Sequence, residues 1–569
     1  MNCKKLYKTI EITDLKDMLN KTRKIYGEKI AYKIKTEKGK YIEITHEQVR
    51  NMVDCLGTQL INMGLKNKRI AIIGENRFEW EIAYLAVVCG VGTVVPLDKS
   101  LPENELRKVI ARSEVEGIIY SGKYEEQLKK MVLEGVGNLR TLISMDAKTI
   151  HNGIYSETEL IQIGNIQIQN GNREFLDSKI NPEEMNIMLF TSGTTSESKV
   201  VALSHKNICE NLMDLAKVMD INENDKILSF LPVHHVFECT VGFLFALYKG
   251  AQTSFCDGIK HIVPNLKEYE ISFACFVPAI YENMYKNIVK KLEKENKLET
   301  INMLIEKNKN ASMEEKKKIF KDIHNIFGGN IRLFISGAAP LDKKVEEWFR
   351  SVGINLCQGY GLTETSPVVA LERGEFIRPG SIGTKLPSIE VKIDTPDSDG
   401  MGELLVKGPN VMLGYFENEE ATKEAMIDGW FHTGDLAVID NDGYIFIKGR
   451  KKSVIVLKNG KNIFPEEMEN LVNRIQGVKE SFIYGKSIKK DKDDIKIYVK
   501  VVIDKEILKL AYNAESDEEI HKILNTKIKE INDKMPPYKA IRGILISEDP
   551  LIKTTTGKIK RQEELKTIK

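Results

Sequence analysis

Buried-looking runs of branched aliphatic residues recur along the chain, and helix-periodic segments fill the gaps between them. Arg69-Ile-Ala-Ile-Ile73 reads as a strand, Trp80 to Cys89 as a helix and Thr93-Val-Val-Pro96 as a second strand. Pro102 to Ser113 reads as a helix with proline near its first turn, and Gly117-Ile-Ile-Tyr120 as a third strand. Ile227-Leu-Ser-Phe-Leu231, Ala274-Cys-Phe-Val277 and Ile331-Arg-Leu-Phe-Ile335 repeat the theme. Strand-helix-strand repetition predicts mostly parallel sheets covered by helices on both faces.

Two regions depart from that rhythm. Between Tyr285 and Asn325 the composition turns to Lys and Glu with Ile301, Leu304 and Ile305 at helical spacing, which predicts a solvated helical hairpin. The last stretch predicts a helix from Pro465 to Arg474, strands at Glu480 to Tyr484 and Ile495 to Val502, a charged helix from Asp517 to Asp533 and a strand at Gly543 to Ile546. Together these make a small α+β unit behind a larger α/β one.

The chain has 569 residues, enough for several packed units. Its 84 Lys and Arg against 82 Asp and Glu give a net charge of +2, which gives no support for a nucleic-acid footprint. Eight cysteines are scattered without a C-x-x-C pair, as reduced thiols in a cytoplasmic protein would be. The first residues turn charged again at Glu11, Asp14 and Lys16, so no signal peptide is expected. The longest uncharged stretch, Ile82 to Leu97, is broken by Gly90, Gly92 and Pro96 and falls short of the roughly 20 residues a membrane span needs. Any membrane contact would have to be peripheral.

Thr191-Ser-Gly-Thr-Thr-Ser-Glu-Ser-Lys199 is the densest chemistry in the chain. Hydroxyls and free N–H groups donate to phosphate oxygens, Gly193 permits close approach, and Lys199 adds a mobile charge. An ordinary Ser/Thr turn is the competing reading. A Walker loop is excluded, because Ser198 stands where glycine must precede the lysine and Val200 follows it.

Gln358-Gly-Tyr-Gly-Leu-Thr-Glu364 forms a second cluster, preceded by Ile335-Ser-Gly-Ala-Ala-Pro-Leu341. Its glycines permit a tight turn in which a flat base lies against Tyr360 while Thr363 and Glu364 point at phosphates. A carboxylate beside a polyphosphate needs a hard cation between them, so Glu364 reads as a Mg²⁺ ligand. A surface Glu on a Gly-rich turn is the even-weighted alternative. In Gly429-Trp-Phe-His-Thr-Gly-Asp435, Asp435 offers two acceptor oxygens to ribose hydroxyls, and Asn441-Asp442-Gly443 predicts a β-hairpin. In the basic run Gly449 to Ser453, Arg450 is the better nucleotide contact, being planar and always charged. The adjacent His234 and His235 have no further His or Cys at ligand spacing, so no metal site is expected there.

These segments, with Gly402-Glu-Leu-Leu-Val-Lys-Gly408 and Val411-Met-Leu-Gly-Tyr415, are similar in order and spacing to the acyl-adenylate-forming superfamily of AMP-dependent synthetases and ligases. The resemblance runs from about Lys21 to Arg561. The wording around Leu231 to Glu238 and Val277 to Tyr281, and the Lys/Glu-rich insert, resemble the long-chain fatty acyl-CoA synthetase branch. The chain departs from the family at Ser196 and Ser198, where Gly and Pro are usual, which puts loop flexibility and turnover in question.

The resemblance implies an α/β fold: a large N-terminal domain of layered, mostly parallel sheets with covering helices over 1–449, a hinge at 450–453 pivoting on Lys452, and a small mobile α+β lid over 454–569. It implies ATP, Mg²⁺ and CoA as reactants and cofactor, with a fatty acid as substrate. Carried over residue by residue, Ser192, Gly193, Thr194, Thr195, Lys199, Gly337, Ala338, Gln358, Gly359, Tyr360, Gly361, Thr363, Asp435 and Arg450 hold the nucleotide. Thr191 and Glu364 face the phosphates and cation, His235 and Phe237 wall the acyl carboxylate, and Lys558 is the catalytic lysine. The lid exchanges Lys558 for the Asn459-Gly460-Lys461 loop, near which a pantetheine arm enters. Two alternatives stay open at this point: loading of an acyl carrier protein, and a degenerate binder that no longer turns over.

Overall fold

The computed structural model describes residues 6–191, 199–374, 376–458, 461–488, 491–514, 516–553 and 559–568. Two large sheets lie back to back. One has eight strands in the order Gly414–Tyr415, Val200–Ser204, Met185–Phe190, Gly92–Leu97, Lys68–Ile73, Gly117–Tyr120, Thr141–Ser144 and Ile154–Ser156. From Met185–Phe190 onward its pairings are parallel. The other has nine strands and is parallel from Leu356–Gly361 through Leu333–Ser336, Phe273–Phe276, Lys226–Ser229 and Gln252–Phe255 to Ile30–Glu37.

Successive side chains on a strand point to opposite faces, so a strand covered on both sides must be apolar at every position. Ile70 and Ile72 enter the core between the sheets, while Ala71 and Ile73 pack on the outer face. Phe273 and Cys275 face the same central core, and Ala274 and Phe276 join a third cluster with Tyr281 and Phe349. The central core is anchored by a stack of Trp80 on Tyr84, with Phe243 set edge-on to both. This is the arrangement the uninterrupted aliphatic runs predict.

A five-stranded antiparallel sheet, built on Trp430–Ile439 and its partners Gly402–Lys407 and Ile445–Arg450, follows the two large sheets. The turn at 440–444 joins the last pair as predicted, with Gly443 at φ 84°. Beyond it, Val478–Ile488, Asp491–Ile503 and Ile541–Ser547 form a three-stranded sheet, and helices Pro465–Val472 and Asp517–Asn532 close a separate core around Met468, Val499 and Leu524. The protein is thus a large N-terminal α/β unit with a small α+β unit at its C-terminal end.

The insert differs from the hairpin expected of it. Helices Pro278–Lys294, Leu298–Lys307, Met313–Ile319 and Lys321–Ile326 occupy the region, and Leu292, Phe320 and Ile323 are buried against the outer face of the nine-stranded sheet. Leu298–Lys307 and Met313–Ile319 bury no residue, as the solvated reading expects, and the burial comes from Leu292, Phe320 and Ile323 outside those two helices. The strand expected at Ile331 begins at Leu333, and Arg332 just before it makes an ion pair with Asp225 at 2.6 Å. The seven described cysteines are free thiols. Among the described residues no helix is long and apolar enough to cross a membrane.

Candidate active site

The strands Met185–Phe190 and Val200–Ser204 pair antiparallel, and Thr191 closes the neck of the loop between them. Its N–H and its hydroxyl both donate to the Lys199 carbonyl, at 2.9 and 3.1 Å. Ser192, Gly193, Thr194 and Thr195 lie outside the described residues, as do Gly460 and Lys558.

Lys199 does not stand alone at the foot of that loop. Its ammonium lies 4.3 Å from the centre of the Tyr415 ring. Tyr415 is held there because Gly414–Tyr415 pairs with the same strand, Tyr415 opposite Val201. The Tyr415 hydroxyl in turn donates to Glu364 Oε1 at 2.9 Å, and the Glu364 carbonyl accepts the Met412 N–H at 2.9 Å. Burial, reinforced by the Glu364 carboxylate, pushes the Tyr415 phenol well above its ordinary range, so it is a hydrogen donor at neutral pH. The three residues thus form a chain of contacts from the loop to the Gly-rich turn.

That turn is shaped by close packing. Any side chain at Gly361 would run into the Pro367 carbonyl, so glycine is required there. Thr363 then opens a short 3-10 turn that ends at Thr365, whose hydroxyl accepts the Leu362 N–H at 3.0 Å. Gly359 sits opposite Leu371 in the sheet, and the intervening Tyr360 projects to the third element of the site.

Tyr360 donates to Asp435 Oδ2 at 2.5 Å, and Arg450 Nε lies 2.9 Å from Asp435 Oδ1. Asp435 and Arg450 face each other across a strand pair, and Gly434, at φ 72°, turns the backbone so that the carboxylate reaches inward. Burial, then the Asp435 charge, holds the Tyr360 phenol far above its ordinary range. Glu403 supports the turn from behind: Oε1 accepts the Gly434 N–H and Oε2 the Lys451 ammonium, each at 2.9 Å.

Gln358 takes a different part from the one its motif implies. Its amide donates to Glu346 at 2.9 Å and accepts from the Leu341 N–H at 3.1 Å, while its own N–H goes to Glu372 at 2.8 Å. The side chain is spent on tying the Ala338 to Leu341 loop to the strand. Burial and the neighbouring Glu346 carboxyl hold Glu372 up in its protonated form, which lets the two acids lie side by side. Ala338 adopts φ 69°, and a side chain at Gly337 would strike the Phe237 ring at 2.9 Å.

Phe237 and His235 belong to a segment fastened at its start by Asn76. The Asn76 amide donates to Leu231 O at 2.6 Å and Ser229 Oγ at 2.8 Å, and accepts from the Val233 N–H at 3.2 Å. The Ser229 hydroxyl in turn donates to the buried Glu238 Oε1 at 2.6 Å. His235 Nδ1 accepts the Phe237 N–H at 3.3 Å, and His234 lies 3.6 Å from Asp98. The two imidazoles therefore have separate partners and do not converge on one point.

The sequence motifs thus come together from four elements. Asn76, Glu403 and the tie from Tyr415 to Glu364 were not anticipated. Tyr415 lay within a quoted motif, so its position carried a signal, but Asn76 sits in Gly74-Glu-Asn-Arg77, a loop with nothing to set it apart.

The chain is 29% identical over 488 residues to long chain acyl-CoA synthetase 4 of Arabidopsis thaliana, covering 79% of this chain and 72% of that protein. It is 28% identical over 481 residues to long-chain-fatty-acid--CoA ligase 1 of Homo sapiens, covering 79% and 68%. Among solved structures, the anthranilate CoA ligase AuaEII in complex with anthranoyl-AMP superposes with a TM-score of 0.77 over 100% of this chain and 98% of that one, at 18% identity. ATP-bound MatB from Rhodopseudomonas palustris superposes with a TM-score of 0.75 over 98% of each chain, at 23% identity. These superpositions extend the agreement in fold through the small C-terminal unit. The model of the AMP-binding enzyme family matches residues 20–416, which takes in the loop neck at Thr191 and Lys199, the Gly-rich turn and Tyr415, and the chain belongs to that family.

Proposed function

We propose that this protein activates a long-chain fatty acid with ATP, releasing pyrophosphate, and passes the acyl group from acyl-AMP to the thiol of CoA. The observation that carries the reading is the convergence of Tyr360, Asp435 and Arg450 beside the Lys199, Tyr415 and Glu364 chain. A nucleoside-recognising carboxylate and a phosphate-facing cation and anion meet at the ends of three different elements. The names of the relatives support the choice of acid and of CoA.

In this reading Asp435 accepts ribose hydroxyls and Arg450 orients it, while the Tyr360 face receives the base. Gly337, Ala338, Gly359 and Gly361 let backbone approach the nucleotide, and Gln358 positions them from behind. Ser192, Gly193, Thr194, Thr195, Thr363 and Lys199 hold phosphate oxygens. Lys558 offsets the charge that develops as the acid carboxylate attacks the α-phosphorus. His235 and Phe237 border the acyl carboxylate.

Mg²⁺ fits the donor set: Glu364 supplies a hard carboxylate whose Oε1 is oriented by Tyr415, and the Thr191 oxygen keeps lone pairs after donating to Lys199. When bound, the ion would neutralise phosphate charge. We assign 1–449 to the catalytic domain, 450–453 to a hinge and 454–569 to a lid whose rotation brings Gly460 toward the site. Free thiols throughout the described residues fit a reducing cytoplasm.

The test is acid-dependent exchange of labelled pyrophosphate into ATP, with Mg²⁺ present and CoA absent, across short-chain, long-chain and aryl acids. Exchange confined to long-chain acids is the expected result. Exchange only with short or aryl acids overturns the substrate, and none with any acid overturns the adenylation.

A further inference from the structure

Two largely buried ion pairs of the small C-terminal unit fasten the same short segment of chain. Glu564, on the helix Arg561–Thr567, is fully buried, and its Oε1 accepts the Lys500 ammonium at 2.6 Å from the strand Asp491–Ile503. Its other oxygen, Oε2, accepts the Ile552 N–H at 2.8 Å. The Lys560 N–H donates to the Ile552 carbonyl at 2.8 Å, and Lys553 and Ile559 face each other as an antiparallel bridge. Arg561 makes the second pair, with Nη2 2.6 Å from the buried Glu469 and 3.2 Å from Glu466. Glu469 is itself held on the sheet, where its Oε1 accepts the Ile483 N–H at 2.8 Å. Ahead of the segment, Glu480 accepts the Leu551 N–H at 2.7 Å and pairs with Lys553, and Leu551 packs with Phe482, Tyr484 and Val502.

Both flanks of residues 554–558 are therefore fixed by side chains from other parts of the unit, and Lys558 lies between the two anchors in the chain. Desolvation offsets most of the attraction within a buried ion pair, so such a pair adds little stability over apolar packing of the same volume. What it adds is placement. One Glu564 carboxylate joins a strand, a helix and the chain that enters the segment, so none of the three can shift without leaving a buried charge unpaired. Placement matters for a group that meets a developing charge, because a misplacement of about 1 Å can cost on the order of a hundredfold in rate.

We propose that Glu564, paired with Lys500, and Arg561, paired with Glu469, are positioning residues for Lys558 in the adenylation step. The inference rests on the proposed role of Lys558 and adds the side chains through which the small unit aims it. They act through the backbone on either side of the segment and not on the nucleotide or the acid. The transfer of the acyl group to a thiol, which does not call on Lys558, is then indifferent to them.

The full-length variants Glu564→Gln and Arg561→Gln are compared with the wild type and with Lys558→Ala in two assays. One is exchange of labelled pyrophosphate into ATP with a long-chain acid, and the other is thioester formation from supplied long-chain acyl-AMP and CoA. In both flanking variants kcat for exchange should fall at least tenfold with the KM for ATP within threefold, while thioester formation stays within threefold. The double variant Lys500→Gln with Glu564→Gln replaces the ion pair by a neutral hydrogen bond and should recover most of the exchange rate. Equal losses in the two assays would make these residues supports of the fold alone and overturn the proposal. If Glu564→Gln melts below the assay temperature, Arg561→Gln, whose partner Glu466 is only partly buried, carries the same test. Exchange lost in Lys558→Ala but kept in the flanking variants overturns the proposal by itself. Exchange kept in Lys558→Ala overturns the role of Lys558 and the proposal with it, and exchange absent from the wild type overturns the adenylation reading on which both stand.

Discussion

Tyr415 donates its hydroxyl to Glu364 across 2.9 Å while its ring carries the Lys199 ammonium at 4.3 Å, so one side chain bridges a cation and an anion drawn from two separate motifs. Tyr415→Phe keeps the ring and deletes the bond to the carboxylate. Hydrogen bonds to charged groups contribute about 1.5–3 kcal/mol, but Glu364 is only half-buried and solvent would replace part of that. The expected outcome is a threefold to tenfold rise in the Mg²⁺ concentration for half-maximal exchange, with Mn²⁺ affinity by electron paramagnetic resonance falling in step. Tyr415→Ala also takes the ring from Lys199 and should raise the ATP KM as well. Unchanged metal dependence in the phenylalanine variant would remove Tyr415 from any positioning role.

Asp435 carries a heavier load, since Tyr360 and Arg450 both depend on its two oxygens and it is 4% exposed. Asp435→Ala leaves a buried phenol and a guanidinium without their shared acceptor. Loss of a buried partner costs about 1–3 kcal/mol and more when charge is involved. AMP binding measured by calorimetry should weaken by about tenfold to a hundredfold, with a lowered melting temperature. Asp435→Asn retains one acceptor oxygen and should recover much of the stability but less of the binding. Equal recovery of both would mean that the carboxylate serves the fold alone.

Much of this architecture is legible in the sequence because period-two burial on both faces leaves unbroken apolar runs. Gly117–Tyr120 is found where the pattern puts it, and Lys68–Ile73 differs by one residue. Reading fails where a side chain is recruited by something distant. Arg332, just ahead of its strand, pairs with Asp225 more than 100 residues away, and no local pattern announces that. The insert misleads for another reason: its buried Phe320 lies at the junction of two short helices and Ile323 in the second of them, each of too few turns to show a periodic stripe.

At the site, residue types were legible and their partners were not. Gln358 stands in a Gly-rich motif and invites a ligand role, yet the buried acids Glu346 and Glu372 claim it. Glu364 and Tyr415 belong to separate motifs 51 residues apart, and the pairing of Gly414–Tyr415 with Val200–Ser204 together with the bond from the Met412 N–H to the Glu364 carbonyl brings them together.

Glu238 gives the protein a pH dependence with a defined sign. It is 1% exposed, and burial pushes its carboxyl from the ordinary 4.5 up to about 8, against the bonds it receives from Ser229 and neighbouring backbone. The unfolded chain therefore releases this proton well before the folded one does. Its contribution to stability is complete below about pH 4.5 and is lost as the pH rises toward about 8. Glu238→Gln cannot ionise and keeps an acceptor for Ser229. Melting temperatures of the wild type should fall across that window, and those of the variant should fall less. Parallel curves would show that Glu238 ionises as freely in the folded protein as out of it.

Asp342 and Arg474 tie the small unit to the large one by two parallel bonds, Nε to Oδ2 at 2.7 Å and Nη2 to Oδ1 at 2.8 Å. Asp342 caps the helix Lys343–Ser351, which follows directly on the Ala338 to Leu341 loop, and Arg474 lies just past the end of helix Pro465–Val472. The guanidinium side chain is 39% exposed, so solvent screening keeps the pair near the 0.2–1 kcal/mol of surface ion pairs. If the small unit turns about the proposed hinge, loss of the pair would shift the balance between its orientations by roughly 1.4- to fivefold, too little to lock it. Arg474→Ala should accelerate tryptic cleavage at Lys451 and Lys452 by about that factor, and raised salt should do the same to the wild type. The double variant Asp342→Arg with Arg474→Asp restores opposite charges and should restore resistance. If it cleaves as fast as either single variant, the pair is incidental and other contacts orient the unit.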